Sequence, residues 1–391
     1  MKISVSERLT SAELVQEQSS ATKHLTFSMT LACPLKCAHC IVEAGPDKGH
    51  TTMPLEVAKW YASQMPELHE YGIRMLSFTG GEPLMARPQL KVMSEAADAV
   101  GMFNGVVTAA QWATSAKPAE RVVKAFPGLH LWDISLDTYH GEFVAFERVR
   151  TAYQTVKNCG RQAMIRFAYH EPFTPEDEQA MEFVDSFADP YDVSTQRVRS
   201  VGRAIGQPVI ESTDQRTFVK PCMTKGLVIR YDGSTSPCCT NLVEERRHPF
   251  QFGDPRSRPL REMHADYVAN PLLQMIRVLG FGEIVEWLKK AGLESVLPEQ
   301  MPQDVCDLCP HIMTNKIAAN LVSELCARPD NRLKIAVLAD QLLGEPQMLQ
   351  RTIEDLRGAS ETIDGFSLAE MLAEKNASAN ATVGENDAQA G

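Results

Sequence analysis

Ten cysteines in 391 residues raise the first chemical question. Three lie on one short stretch, Leu31-Ala32-Cys33-Pro34-Leu35-Lys36-Cys37-Ala38-His39-Cys40. Thiolates spaced C-x3-C-x2-C can ligate three corners of a [4Fe–4S] cluster. No further cysteine follows before Cys159, so one iron would stay open to a substrate or cofactor. Zinc is the competing reading: structural zinc takes four ligands, and His39 would supply the fourth. Plain buried thiols are the third reading.

A second set is more dispersed: Cys222, then Cys238 after Gly233, then Cys306-Asp307-Leu308-Cys309. Alone, one close pair with two distant cysteines reads as a zinc site. Cys159, Cys239 and Cys326 remain. Cys159 falls at an expected helix end and reads as structural. A further motif, Ser77-Phe78-Thr79-Gly80-Gly81-Glu82-Pro83, closes an expected strand. Its glycines let backbone approach a ligand, and Glu82 offers a carboxylate suited to an ammonium.

The elements that carry these residues alternate. Strands are expected over His24–Leu31, Ile73–Phe78, Phe103–Thr108, Leu129–Leu136, Ala163–Tyr169 and Val193–Val198, which are short, apolar or alternating, and rich in β-branched and aromatic residues. Helices are expected over Leu55–Tyr71, Pro88–Val100, Ala119–Phe126, Gly141–Asn158 and Pro175–Phe187. Six β–α alternations imply a parallel sheet with right-handed crossovers, able to curl into an incomplete barrel with ligands at the C-terminal strand ends. After Gly206 the pattern changes. Leu227–Tyr231 and Ser234–Pro237 flank Asp232-Gly233, a hairpin signal. Residues 240–260 read as loop. Helices are expected around 260–295, 312–326 and 331–356. The aromatic and Met residues of 263–288 recur at helical spacing and read as core. The tail from about Asn376 is poor in apolar residues and is expected to be disordered.

Composition narrows the function classes. The net charge of −11 disfavours phosphate backbones, so no nucleic-acid role is expected. No apolar run spans a bilayer and the N-terminus has no secretory h-region, so a cytoplasmic protein is expected, with no membrane partner. Structural disulfides are then disfavoured. There is no P-loop, Gly-x-Gly-x-x-Gly or HExxH motif. The basic segment Arg197–Arg203 reads as solvated or ligand-facing.

Cys33, Cys37, Cys40 and Gly80-Gly81-Glu82 together resemble the radical S-adenosylmethionine (SAM) superfamily. Its C-x3-C-x-φ-C pattern is matched with His39 at φ, and its GGE motif by Gly80, Gly81 and Glu82. The resemblance covers about residues 24–205. It implies an α/β fold with a partial (β/α)6 barrel, a SAM-binding [4Fe–4S] cluster on Cys33, Cys37 and Cys40, and SAM as cosubstrate. SAM's amino group would meet the GGE motif. By the same resemblance Thr108, Ser135, Asp137, Arg166 and Val201 contact SAM. For Arg166 a bidentate grip on the methionine carboxylate competes with a barrel-wall salt bridge. For Thr108 a simple strand-end cap competes. The resemblance further implies reductive cleavage of SAM to a 5′-deoxyadenosyl radical that abstracts a substrate hydrogen, the electron coming from a flavodoxin- or ferredoxin-type partner.

Cys222, Gly233, Cys238, Cys306 and Cys309 resemble the SPASM or twitch extension, which implies an auxiliary [4Fe–4S] cluster. The longer SPASM pattern would need cysteine where Asn315 stands, so the shorter, one-cluster form fits. Cys239 in place of Cys238, or Cys326 in place of another ligand, is an open alternative. Otherwise Cys326 and Cys239 each read as a buried small hydrophobe or, by resemblance to radical SAM peptide epimerases, as a hydrogen donor to a substrate radical. The expected division is a leader over 1–23, the radical SAM core over 24–205, the auxiliary-cluster domain over 206–330, C-terminal helices over 331–375, and the tail over 376–391. Such enzymes act on ribosomally made peptides by epimerisation, cross-linking or oxidation, the first expectation here. The second is dehydrogenation of a small metabolite such as an aminocyclitol. The 23 residues before the first strand are too few for a peptide-recognition domain, which a separate partner protein would supply. A zinc or iron–sulfur scaffold without catalysis is the third expectation.

Overall fold

The computed structural model describes residues 20–169, 172–206, 221–224, 226–239, 242, 245, 247–253, 257–299, 301–302 and 305–358. Most of the expected leader, part of the expected C-terminal helical region and the whole expected tail lie outside these residues.

Six strands run parallel: β1 His24–Ser28, β2 Met75–Thr79, β3 Phe103–Thr108, β4 Leu131–Ser135, β5 Gln162–Tyr169 and β6 Val193–Arg197. Between them lie helices α1 Leu55–Ser63, α2 Met65–Tyr71, α3 Arg87–Ala99, α4 Ala116–Lys124, α5 Thr138–Gly141, α6 Phe146–Asn158 and α7 Pro175–Asp185. This is the α/β architecture expected of a partial barrel. Successive strand residues point to opposite faces, and one face is apolar: Leu25, Phe27, Phe78, Val106, Trp132, Ile134, Ile165 and Phe167 all fall on it and are fully buried, whereas Thr26, Ser28, Asp133, Ser135 and Arg166 take the other. β1 stops short of the expected Leu31. Beyond Met29 the chain leaves the sheet, because Thr30 bridges Thr52 and Ala32 bridges Gly45.

Two expected helices are each split. Leu55–Tyr71 breaks at Gln64, because Pro66 has no N–H to continue the ladder and starts α2 instead. Gly141–Asn158 is replaced by the short α5, capped by the Asp137 side chain, and by α6. α7 begins as expected at a proline and carries a capping box between Thr174 and Asp177.

The hairpin expected at Asp232-Gly233 forms from β7 Leu227–Arg230 and β8 Thr235–Ser236. Asp232 accepts from the Ser234 N–H at 3.1 Å, and Gly233 takes a φ of 88°. β7 also pairs in parallel with β1, Leu25 opposite Leu227, so the order is β6-β5-β4-β3-β2-β1-β7-β8. Helices follow: α8 Leu260–Val268, α9 Pro271–Val278, α10 Gly282–Lys290, α11 Val305–Met313, α12 Lys316–Ala327, α13 Pro329–Leu343 and α14 Pro346–Gly358. One apolar core joins both halves, from Leu25 on β1 to Leu349 on α14. A buried ion pair, Arg277 with Glu345 at 2.7 Å, holds α9 to the start of α14. No helix among the described residues is long and apolar enough to cross a membrane.

Candidate active site

The C-terminal ends of the parallel strands converge on one place. Cys33, Cys37 and Cys40 sit on the loop after β1, and Gly80-Gly81 follow β2. Thr108 ends β3, Ser135 ends β4, and Arg166 lies on β5. All of them line a cavity of about 180 Å³, together with His39, Asp137, His140 and Arg203.

The two sequence motifs are zipped together by backbone. The Gly81 N–H donates to the Thr30 carbonyl at 2.6 Å, and the Glu82 N–H to the Ala32 carbonyl at 2.8 Å. Gly80 has a φ of +138°, and a Cβ there would lie 2.2 Å from the Thr30 oxygen. A Cβ on Gly81 would lie 2.4 Å from the Ala32 oxygen. Only glycine permits this approach, which fixes the segment that launches the cysteine loop.

The cysteine loop is held at both ends. Cys33 N–H donates to the Gly45 carbonyl at 3.1 Å, and Gly45 N–H to that of Leu31 at 3.0 Å. From the far edge of the sheet, Arg203 reaches across: Nε donates to the Cys37 carbonyl at 2.8 Å and Nη1 to the Ala44 carbonyl at 2.7 Å. The Arg203 N–H takes the Cys40 carbonyl at 3.1 Å. Gly202, at a φ of +56°, is pressed so close that a Cβ would lie 2.4 Å from the Cys40 oxygen.

Side-chain geometry refines several expected roles. The Glu82 carboxylate turns away from the cavity. It accepts from Thr108 Oγ1 at 2.9 Å, from the Ala109 N–H at 3.1 Å and from the Leu84 N–H at 3.2 Å. Burial pushes its carboxyl pKa up against those hydrogen bonds. The Glu82 carboxylate is thus occupied by these groups, and Gly80, Gly81 and Thr108 are what this segment presents to the cavity. Arg166 grips Asp133, donating from Nε at 3.0 Å and also from Nη2. Its Nη1 donates to Gln196 Oε1 at 3.2 Å. The barrel-wall salt bridge is thus formed, on a side chain that still lines the cavity. Val201 lies outside the first cavity and lines a second one of about 560 Å³.

Asp137, capping α5, holds His140 Nδ1 at 2.8 Å and lies 3.9 Å from His39 Nε2. Burial would lower the His140 pKa, but the Asp137 carboxylate overrides it and holds it up at about 10. The His39 ring stacks on Tyr139 at 4.5 Å. Neither His140 nor Arg203 was singled out by sequence reasoning. Arg203 had a signal, a basic residue just past the last strand. His140 had none beyond its place three residues after Asp137.

The three cysteines fit an iron–sulfur cluster. They line one cavity together, and their charges reach one another. Burial and the neighbouring Glu82, Cys37 and Cys40 push the Cys33 thiol up to about 12, a cost that a bound metal cation reverses.

The second set also converges. Burial raises the Cys309 thiol pKa, with Cys222, Cys238 and Cys306 close enough to raise it further. Cys306 and Cys309 lie on α11, and the Cys222 N–H donates to the Ile276 carbonyl at 2.7 Å. Four thiols with one another for neighbours suit a four-ligand metal site. The other two candidates separate. Cys239 packs against the same small apolar cluster as Cys33, Cys40 and Tyr231, formed by Leu31, Val42, Ala44 and Val228, within electrostatic reach of Arg166. Cys326 is fully buried on α12. Like Cys239, it lines neither cavity.

Residues 27–183 match the model of the Radical SAM superfamily. No curated protein matches the chain. Among solved structures, the chain is similar to "Native anSMEcpe with bound AdoMet" at 12% identity and a TM-score of 0.48, over 84% of this chain and 98% of that one. It is also similar to "Crystal structure of BtrN in complex with AdoMet and 2-DOIA" at 14% identity and a TM-score of 0.36, over 65% and 87%.

Proposed function

We propose, from the radical SAM match over residues 27–183, that this protein uses SAM to abstract hydrogen from a ribosomally made peptide, leading to epimerisation, cross-linking or oxidation. The observation that carries the radical chemistry is the backbone zipper joining Gly81 and Glu82 to the strand that launches Cys33. It brings the three cysteines and the two glycines to one cavity, which supports this reading.

Cys33, Cys37 and Cys40 would hold a [4Fe–4S] cluster, and a flavodoxin or ferredoxin would supply its electron. The chemistry supplied there would be one-electron reductive cleavage of SAM to methionine and a 5′-deoxyadenosyl radical. The protein's own contributions are positional. Gly80 and Gly81 offer backbone to the amino acid end of SAM. Ser135 and the Asp133-bound Arg166 face the same cavity. Leu35, Ile41, Val42, Ala44, Val107 and Ala168 supply an apolar lining that keeps water from reactive species. Asp137 anchors the imidazole of His140 against the cysteine loop.

Support for a peptide substrate comes from the second cavity, which shares Ile41 and Val42 with the first and has exposed Glu43, His311 and Thr314 at its wall. Its 560 Å³ also suits a small metabolite, since such pockets span about 300–1,000 Å³. Dehydrogenation of an aminocyclitol-like molecule is therefore the second reading. Cys222, Cys238, Cys306 and Cys309 would hold the auxiliary [4Fe–4S] cluster.

The test is anaerobic reconstitution, iron and sulfide counting, and assay of 5′-deoxyadenosine after reduction with SAM present. About eight irons in the wild type and about four in the Cys33→Ala, Cys37→Ala, Cys40→Ala variant are expected, with 5′-deoxyadenosine from the wild type alone. A colourless protein carrying zinc overturns the reading.

A further inference from the structure

The helix carrying the second cysteine pair is ion-paired to the rim of the first site. Asp307 lies between Cys306 and Cys309 on α11, and its carboxylate accepts from Arg197 Nη2 at 2.7 Å. Arg199 Nη1 lies 3.8 Å from its other oxygen. Both side chains of the close pair are largely shielded, Asp307 at 7% and Arg197 at 14% exposure, so water screens it little. Arg197 is the last residue of β6. Its chain neighbour Gln196 accepts from Arg166 at 3.2 Å, and both Gln196 and Arg166 line the first cavity. Arg166 is in turn clamped on Asp133 of β4. A continuous series of contacts thus runs from the second thiol set to the wall of the cavity: Cys306, Asp307, Arg197, Gln196, Arg166.

The position of this series gives it leverage. Among the described residues β6 is an edge strand paired only with β5, and none of them gives its far side ladder bonds. The ion pair from α11 supplies a hold there. α11 in turn has its place fixed at two cysteines whenever the second set binds metal.

We propose that Asp307 is a positioning residue that couples the second metal site to SAM binding, by holding the end of β6 and with it Gln196 and Arg166. The proposal rests on the reading of both cysteine sets given above. Filling the second site tightens SAM binding. Linkage requires the reverse by the same factor: SAM tightens metal binding at the second site.

The test is equilibrium binding of radiolabelled SAM to anaerobically reconstituted full-length protein, with iron counted on the same samples. Asp307→Asn, which keeps the size and removes the charge, is expected to retain iron at both sites and bind SAM about tenfold more weakly, a coupling of ordinary size. Gln196→Ala combined with Asp307→Asn should cost less than the two effects added, because both cut one series. Arg351→Ala removes an exposed ion pair with Asp266 and should leave SAM affinity unchanged. Wild-type affinity in Asp307→Asn with full iron overturns the proposal. Should that variant lose iron at the second site, Arg197→Gln cuts the pair from the barrel side with α11 untouched, and wild-type affinity there overturns it equally. A wild type that neither loads iron nor binds SAM removes the underlying reading instead.

Discussion

Arg203 Nε donates to the carbonyl oxygen of Cys37 at 2.8 Å, so a residue beyond the last strand of the barrel holds the loop after the first. The same guanidinium takes the Ala44 carbonyl, closing the loop from outside. Hydrogen bonds from a charged donor contribute about 1.5–3 kcal/mol each. Arg203→Leu is expected to fold but to lose most iron at the first site, counted in a background where the second set is Ser. Arg203→Lys, with one donor group in place of a fork, should recover only part of it. Full iron in Arg203→Leu would contradict this role.

Gly81→Ala should be among the most damaging small changes in the chain. Its Cβ would meet backbone, the Ala32 carbonyl, which cannot move without displacing Cys33. Overpacking of this kind costs about 1–3 kcal/mol. Gly202→Ala adds the same clash against Cys40 to a positive φ. Gly49→Ala is the control, since its φ is −56° and nothing lies within contact of a Cβ. Thermal melting and iron content of the three variants check the order.

Cys239 and Cys326 should part company on substitution. Cys326→Ala is expected to lower stability by about 1 kcal/mol through a small cavity and to leave SAM cleavage unchanged. Cys239→Ala is expected to keep stability and alter the product formed, because Cys239 packs against the same apolar cluster as Cys33 and Cys40. Product analysis by mass spectrometry separates them, and a change of product with Cys326→Ala would reverse the assignment.

Stability should begin to fall as pH drops below about 6.5. His264 is wedged between Tyr71 and Tyr267, and its ring nitrogens have no hydrogen bond among the described residues. Burial, with Arg277 nearby, lowers its pKa from 6.5 to about 3. Burial lowers His248 to about 4. A depressed folded pKa means the unfolded chain binds more protons in acid. The stability these groups contribute is complete above pH 6.5 and lost as pH falls towards 4 and 3. The slope is at most about 1.4 kcal/mol per pH unit for each histidine. His264→Phe should flatten the decline of melting temperature between pH 6.5 and 4; an unchanged slope would exclude His264 as its source.

The sequence by itself determined the spacing of the two cysteine sets, the glycine turn, the alternation of strands and helices, and the hairpin at Asp232-Gly233. These are local: spacing, periodicity and turn chemistry act within a few residues. Helix breaks were less legible, because Pro66 was compatible with an apolar pattern that ran through it. The tertiary structure alone decided where each side chain's partner lies. Glu82 has the right chemistry for an ammonium, yet Thr108 and the Ala109 N–H from the end of β3, together with its own neighbour Leu84, satisfy it. Arg166 finds Asp133 on the neighbouring strand. Cys239 and Cys326 differ by nothing in composition, and only packing sends one beside the first cysteine loop and the other into a helical core. Asp307 reads as a spacer between two cysteines until α11 sets it against Arg197, 110 residues away in sequence. Contacts over such separations depend on the whole chain's closure, which no short window of sequence encodes.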